Sequence, residues 1–435
     1  MKQLLSRHIE RIARDTLDFM PGLIIEGARQ VGKSTLAQQL ANGDAFYVNL
    51  DDPQVRTAAE EDSAGFIAQA GERRLIIDEI QRMPELTLVI KAAIDRDRRS
   101  GRFILTGSSS LLRVRGLADS LAGRVGRLLL YGFSQGELAG KVDDFATAIK
   151  GASTQEILSH TTTLGRSDYA QLVVEGAYPA IADESVQRRQ RWLDSYLQGL
   201  VGRDIPELRR VFDPGRAMSL LRLIAANQAG ELVRARLANE AGIPATTISA
   251  YLDLLADTWL IATVPSWTPN LSRRETARPK NIIIDSGLAT RLARLSAPHL
   301  AGHNYSQAFG ALLEGFVVSE LLRQQTWTTS GFELFHYRDR AGAEVDLILE
   351  LDGAQIIAIE IKAATTFQTS QFKHLKALRD KLGDQLIAGI VLNTGTTGFR
   401  FSDRLYGLPV SALWEFPSPD PKQTTGTAQA ESLTS

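Results

Sequence analysis

Leu23-Ile24-Ile25-Glu26-Gly27-Ala28-Arg29-Gln30-Val31-Gly32-Lys33-Ser34-Thr35 is the stretch that decides the fold. Its apolar run has no polar alternation, which suits a strand buried on both faces. The residues from Thr35 onward read as a helix. Between them, Gly27 to Ser34 fits the pattern G-x-x-x-x-G-K-S/T. Such glycines let the backbone curl until its N–H groups converge on phosphate oxygens, and the following helix points its partly positive end at the same anion. Gly27, Arg29, Gln30, Val31, Gly32, Lys33, Ser34 and Thr35 are therefore the expected nucleotide contacts. Lys33 is expected to reach the β- and γ-phosphates and the Ser34 hydroxyl to ligate Mg²⁺, so ATP and Mg²⁺ are the expected cofactors.

Outward from this loop, four more apolar runs alternate with helical stretches: Phe46-Tyr47-Val48, Leu75-Ile76-Ile77, Phe103-Ile104-Leu105 and Leu128-Leu129-Leu130. The alternation predicts an α/β domain with a parallel sheet. The third of the five runs ends in Asp78-Glu79. Asp78 is expected to hold Mg²⁺ and Glu79 to orient or deprotonate the attacking water. The fourth ends in Thr106-Gly107-Ser108, hydroxyls at the strand edge where ligands of open α/β sheets lie. Thr106 is a candidate sensor of the γ-phosphate, and so is Ser108.

This order of phosphate loop, Asp78-Glu79 and Thr106-Gly107-Ser108 resembles an AAA+ ATPase. More narrowly, it resembles a prokaryotic AAA+ group with a C-terminal domain of the PD-(D/E)XK nuclease fold. Leu121-Ala122-Gly123-Arg124 and Gly202-Arg203-Asp204-Ile205 also look like that group. The resemblance implies a homo-oligomeric ring in which an arginine from one subunit completes the neighbour's site. Arg124 is the first candidate for that role, before Arg127 and Arg203.

The rest of the chain divides by composition. Residues 1–140 are read as the ATPase domain, 141–227 as helical, and 228–279 as a winged helix-turn-helix. In that last segment one helix is expected from Leu232 to Ala241, a turn at Gly242-Ile243-Pro244, a second helix from Thr246 to Ala256, and a strand at Trp259-Leu260-Ile261-Ala262. Residues 280–417 form a third α/β unit. The segment 418–435, rich in Ser, Thr, Pro, Gln and Gly, is expected to be disordered because it has too little apolar surface to offset chain entropy. The expected recognition helix carries Thr246, Thr247, Ser249 and Tyr251, but also Asp253 and Asp257 and no Arg or Lys. Arg234, Arg236, Arg273 and Arg274 are the nearby basic candidates.

The third unit holds a second acidic set. Ala343-Glu344-Val345-Asp346-Leu347-Ile348-Leu349 reads as a strand with Glu344 and Asp346 on one face. After a turn at Asp352-Gly353, Gln355 to Lys362 reads as its partner strand, with Glu360 and Lys362 on one face. Upstream, Glu314 falls on the apolar stripe of a helix from Phe309 to Gln324, unusual for a carboxylate that neither pairs nor ligates a cation. Glu314, Asp346, Glu360 and Lys362 resemble the PD-(D/E)XK site, in which the acids bind Mg²⁺ and the lysine positions water for phosphodiester cleavage. Val345 stands where that pattern has proline. The same fold also serves as a binding module, so cleavage and binding both remain open.

Bulk properties narrow the field. The 435-residue chain has a net charge of −1 and no cysteine. It therefore has no disulfide, thiolate-zinc site or cysteine nucleophile. No global basic field advertises nucleic acid. Six scattered histidines lack HExxH spacing, and no uncharged apolar run is long enough to cross a bilayer. The expected location is cytoplasmic. The sequence points to Mg²⁺-dependent ATP hydrolysis coupled to DNA remodelling, with branched DNA such as a Holliday junction as a candidate substrate. The competing readings are an ATP-gated switch or scaffold for protein partners, with a silent nuclease-like domain, and a nucleotide-dependent transcription regulator.

Overall fold

The computed structural model describes residues 4–41, 43–109, 121–205, 212–270, 274, 277–339 and 342–416. Arg273 and the tail from Ser418 lie outside them. The chain divides into two compact units. The first comprises the residues up to Phe133 with Tyr178–Ala180 and Leu252–Leu260, and the second comprises the remainder.

All five apolar runs of the first unit are strands: β1 (Gly22–Glu26), β2 (Ala45–Asn49), β3 (Arg74–Asp78), β4 (Phe103–Gly107) and β5 (Val125–Leu129). They form one parallel sheet in the order β2-β3-β4-β1-β5. Ile24, Leu75, Ile77 and Leu105 pack with Ile90 and Ile94 of the helix Leu86–Arg96. Burying each such side chain contributes about 1.5–3 kcal/mol, which explains the absence of polar alternation in β1, β3 and β4; the edge strands β2 and β5 are only partly buried. Because β4 lies between β1 and β3, the phosphate loop after β1 and the acids after β3 meet at the C-terminal edge of the sheet.

The second unit begins with short helices between Gln135 and Glu175, then a long one at Val186–Gly199. The helix Pro214–Ala226 is followed by β6 (Gly230–Glu231), the helix Arg234–Glu240, the helix Ile248–Asp257, whose residues from Leu252 are counted with the first unit, and then β7 (Ile261–Val264) and β8 (Lys280–Ile283). β8 is the central strand of an antiparallel sheet, β6-β8-β7. The expected succession of helix, turn, helix and strand is present, with two local differences. The turn runs further than expected, since Gly242 is left-handed and Thr247 N–H donates to Pro244 C=O at 2.9 Å. The strand starts at Ile261 because Trp259, at φ 58°, cannot continue a pleat.

A six-stranded mixed sheet closes the second unit, in the order β13-β14-β12-β11-β10-β9. Its strands are β9 (Phe332–Arg338), β10 (Glu344–Leu351), β11 (Gln355–Lys362), β12 (Leu386–Asn393), β13 (Phe399–Ser402) and β14 (Leu405–Pro409). β9, β10 and β11 pair antiparallel, whereas β12 runs parallel to β11 and β14. The helix Ser306–Gln324 is buried on nearly every side, including Glu320 and Arg323, rather than along one stripe. Among the described residues, no helix is long and apolar enough to cross a membrane.

Candidate functional site

The phosphate loop requires glycine at two positions. Gly27 has φ 150°, and a Cβ there would sit 2.0 Å from the Leu130 carbonyl oxygen. Gly32 has φ 97° and caps the helix Lys33–Leu40, a conformation costly for residues with a Cβ. Arg7, far away in sequence, braces the loop from behind. Its guanidinium donates to the carbonyls of Val31 (2.9 Å) and Tyr131 (2.8 Å) and lies over the Phe133 ring. Val31 thus serves the loop by folding inward.

In front of the loop lies a cavity of about 460 Å³, lined by Arg29, Gln30, Gly32, Lys33, Ser34, Thr35, Asp51, Glu79, Pro179 and Ala180. Its volume is in the range of cofactor pockets. Ser34 Oγ donates to Asp78 Oδ2 at 2.7 Å. Tyr47 OH donates to the same oxygen at 2.7 Å, and the Thr106 hydroxyl donates to the other. Three hydroxyls thus orient one buried carboxylate beside the loop. A serine hydroxyl and a carboxylate are hard oxygen donors and fit Mg²⁺. Burial, with the hydrogen bond to Asp78, pushes the Tyr47 phenol well above its usual range.

Glu79 stands at φ 59°, turned out of the line of β3. Its N–H donates to Thr106 Oγ1 at 3.2 Å, and its Oε2 accepts from Ser108 Oγ at 2.9 Å and from Gln81. This left-handed turn sends Glu79 to the cavity while Asp78 stays buried. Thr106 is fully buried and reaches the site only through Asp78 and the Glu79 backbone, so its geometry is that of a positioning residue.

Lys33 is also buried, with Nζ donating to the carbonyls of Ala28 (2.8 Å) and Gly27 (3.1 Å). Burial lowers its pKa to about 8, against the pull of Glu79 and Asp78. Only the ammonium form attracts phosphate. As pH rises through about 8, kcat/KM for ATP is therefore expected to fall with the loss of one proton, since this parameter reports the free protein's groups. A pH–rate profile checks this; a flat profile to about pH 10 would contradict it.

The candidate arginines are engaged within the chain. Arg124 grips Asp95 with both ends of its fork, at 2.8 and 3.0 Å. Arg127 pairs with Glu26 at 2.5 Å and Arg203 with Asp204 at 3.3 Å. Arg274 is no free basic contact: it forks onto Glu350 at 2.6 and 2.8 Å and covers Phe335.

In the second unit, Glu314, Asp346, Glu360 and Lys362 come together. The β10–β11 register sets Leu347 opposite Ile359, which brings Asp346 beside the end of β11. Asp346 Oδ2 accepts the Ile361 N–H at 2.8 Å, and Lys362 Nζ lies 2.7 Å from Glu360 and 3.5 Å from Asp346. Glu344, on the face of Asp346, joins them, and so does Lys280, which no sequence motif marks. Lys280 of β8 places Nζ 2.7 Å from Glu314, 3.2 Å from Glu344 and 3.6 Å from Asp346. Burial and the Asp346 charge push both Glu314 and Glu360 up to about 8. Burial alone would lower Lys280, but Glu314, Asp346 and Glu344 hold it above its usual value. Lys280 and Asn281 precede Ile282-Ile283-Ile284, which reads locally as an apolar strand with a polar start. Its partner Glu314 is 34 residues away, so no local pattern reveals the pair.

Residues 20–139 match the family model of an AAA domain, and residues 166–299 and 309–413 match two domains of unknown function. Uncharacterized proteins of Mycobacterium bovis and Mycobacterium tuberculosis are each 27% identical over 405 residues, 92% of this chain and 82% of each relative. Among solved structures, the chain is similar to a Walker-type ATPase of Pyrococcus abyssi, with 19% identity and a TM-score of 0.42. That alignment covers 67% of this chain and 96% of that one. It is also similar to Thermotoga maritima RuvB, with 19% identity and a TM-score of 0.27, covering 63% and 88%. The family match and the loop geometry agree: the parallel-sheet region is an AAA-type P-loop ATPase domain.

Proposed function

We propose that this chain hydrolyses ATP with Mg²⁺ at Lys33, Ser34, Asp78 and Glu79 and uses the turnover to act on a macromolecule held by its second unit. The observation that carries the reading is the 2.7 Å contact of Ser34 Oγ with Asp78, with Glu79 on the wall of the same cavity. Ser34 and Asp78 would hold the Mg²⁺ that accompanies ATP. When bound, that ion neutralises charge on the phosphate oxygens. Lys33 leaves the loop carbonyls for the β- and γ-phosphates, and Glu79 aligns the attacking water. The reading includes a cytoplasmic homo-oligomeric ring in which Arg124 exchanges Asp95 for a neighbour's γ-phosphate.

DNA is the first candidate partner, branched DNA such as a four-way junction included. The reason is the convergence of Glu314, Asp346, Glu360 and Lys362, a set that resembles the site of a DNA-acting nuclease fold. A second reading, an ATP-gated switch for protein partners, is favoured by a different observation. The helix Ile248–Asp257 carries two aspartates and no basic residue.

ATP turnover measured with single strands, duplex, forks and four-way junctions at fixed salt separates the two, because phosphate-driven binding depends on salt. DNA is expected to raise the rate, and Lys33→Ala to lower basal and stimulated rates by at least about a hundredfold. A rate indifferent to every DNA, with no DNA bound, would transfer the reading to protein partners. Retained hydrolysis in Lys33→Ala would sink the ATPase assignment itself.

A further inference from the structure

We infer that Lys280 is a tethered cation of the acidic site in the second unit and keeps that site closed to divalent metal. This goes beyond the ATPase reading and does not rest on it. The resemblance to a nuclease fold implies Mg²⁺ held by Glu314, Asp346 and Glu360, and the contacts of these carboxylates decide whether they fit it. Each already has an ammonium. Lys280 Nζ lies 2.7 Å from Glu314 Oε1 and 3.6 Å from Asp346 Oδ1. Lys362 Nζ lies 2.7 Å from Glu360 Oε2 and 3.5 Å from Asp346 Oδ2. Both oxygens of Asp346 thus face a cation, and Oδ2 also accepts the Ile361 N–H at 2.8 Å. Among the described residues, no three Asp, Glu, His or Cys side chains are grouped so as to hold a metal.

One lysine belongs to the fold's familiar set; the second is the departure. A surface lysine would swing aside for a metal. Lys280 cannot do so cheaply: its side chain is 5% exposed, and its backbone is pinned in the central strand, opposite Glu231 on one side and Val264 on the other. Glu344 adds a third carboxylate at 3.2 Å, so the ammonium lies within 3.6 Å of three carboxyl groups and hydrogen-bonds to Glu314. Mg²⁺ demands near-octahedral oxygen ligands at about 2.0–2.1 Å. Entry would therefore require expelling an ammonium already in contact with two of the three expected ligands. The acidic site is on this account metal-free, with each of its carboxyl groups held by a lysine.

The test uses the full chain with Asp78→Asn in every arm, which removes the carboxylate of the nucleotide site. Each protein is titrated with Mn²⁺ without nucleotide, and bound Mn²⁺ is counted by electron paramagnetic resonance. With Lys280 intact, no strong site is expected. Lys280→Gln is expected to gain one site per chain, at least about tenfold tighter than any in the parent. Adding Asp346→Asn should abolish it. If the parent already binds one Mn²⁺ tightly and loses it with Glu360→Gln, the inference is overturned. It is equally overturned if Lys280→Gln folds and gains no site. Should that variant fail to fold without metal, thermal melts decide. Mn²⁺ should then raise its melting temperature through preferential binding to the native state while leaving the parent unmoved. No rescue would count against the inference.

Discussion

Glu79→Gln is expected to slow ATP turnover by about 10²–10⁴-fold, the range a positioned general base contributes, with nucleotide binding retained. The substitution keeps shape and volume, and the amide oxygen can still accept from Ser108 Oγ, now 2.9 Å from Oε2. What is lost is the negative charge and the capacity to take or orient a proton of water. Binding should survive because the groups facing the phosphates, Lys33, Ser34 and the loop backbone, are untouched, and the Asp78 contacts to Ser34 and Tyr47 remain. Steady-state hydrolysis beside fluorescent-nucleotide binding checks both halves. A variant retaining more than about a tenth of wild-type turnover would remove Glu79 from the chemistry.

The second large effect concerns stability. Arg323→Ala is expected to destabilise the chain by about 3–5 kcal/mol, the cost of stranding one member of a buried ion pair. Glu320 is 0% and Arg323 3% exposed, with Nη1 to Oε1 at 2.7 Å. The other carboxylate oxygen accepts the Gln135 N–H at 2.9 Å. Burial pushes Glu320 up to about 7, and Arg323 opposes that rise. Without the arginine the folded-state pKa climbs further. A carboxyl whose folded pKa is raised is stabilising below its unfolded pKa and loses that contribution as pH rises through the folded value. The penalty should therefore grow only as pH rises through about 7, where the wild-type carboxyl ionises and the variant's does not; below that both folded forms carry the proton and the unfolded chains titrate alike. Urea unfolding followed by several probes at two pH values tests this, the probes guarding against separate transitions in a chain of two units. An unchanged midpoint at neutral pH would contradict the account.

The site of the first unit was legible because its chemistry is local. Gly27, Gly32, Lys33 and Ser34 fall within eight residues, and Asp78-Glu79 ends an apolar strand whose neighbours in the sheet are apolar too. The parts that escaped are contacts of long sequence separation. Arg7 reaches the carbonyl of Tyr131, 124 residues on, and Tyr47 reaches Asp78 from an adjacent strand. Thr106, on β4, donates its hydroxyl to Asp78 at the end of the neighbouring β3, a cross-strand contact that no local pattern shows. In the second unit, strand alternation placed Asp346, Glu360 and Lys362 correctly on their faces. It could not show that Lys280, on a different sheet, shares their charge. The apolar stripe of the helix Ser306–Gln324 does not reveal that packing surrounds it.

The position of Lys33 against the carbonyls of Gly27 and Ala28 sets the character of nucleotide capture. The ammonium is already dehydrated and seated on the loop's own oxygens, so an arriving triphosphate trades places with an internal guest. Much of the solvent-stripping that a free lysine would face on meeting phosphate has happened during folding. Capture then resembles a relay, in which the loop hands its lysine forward and takes it back when the product leaves.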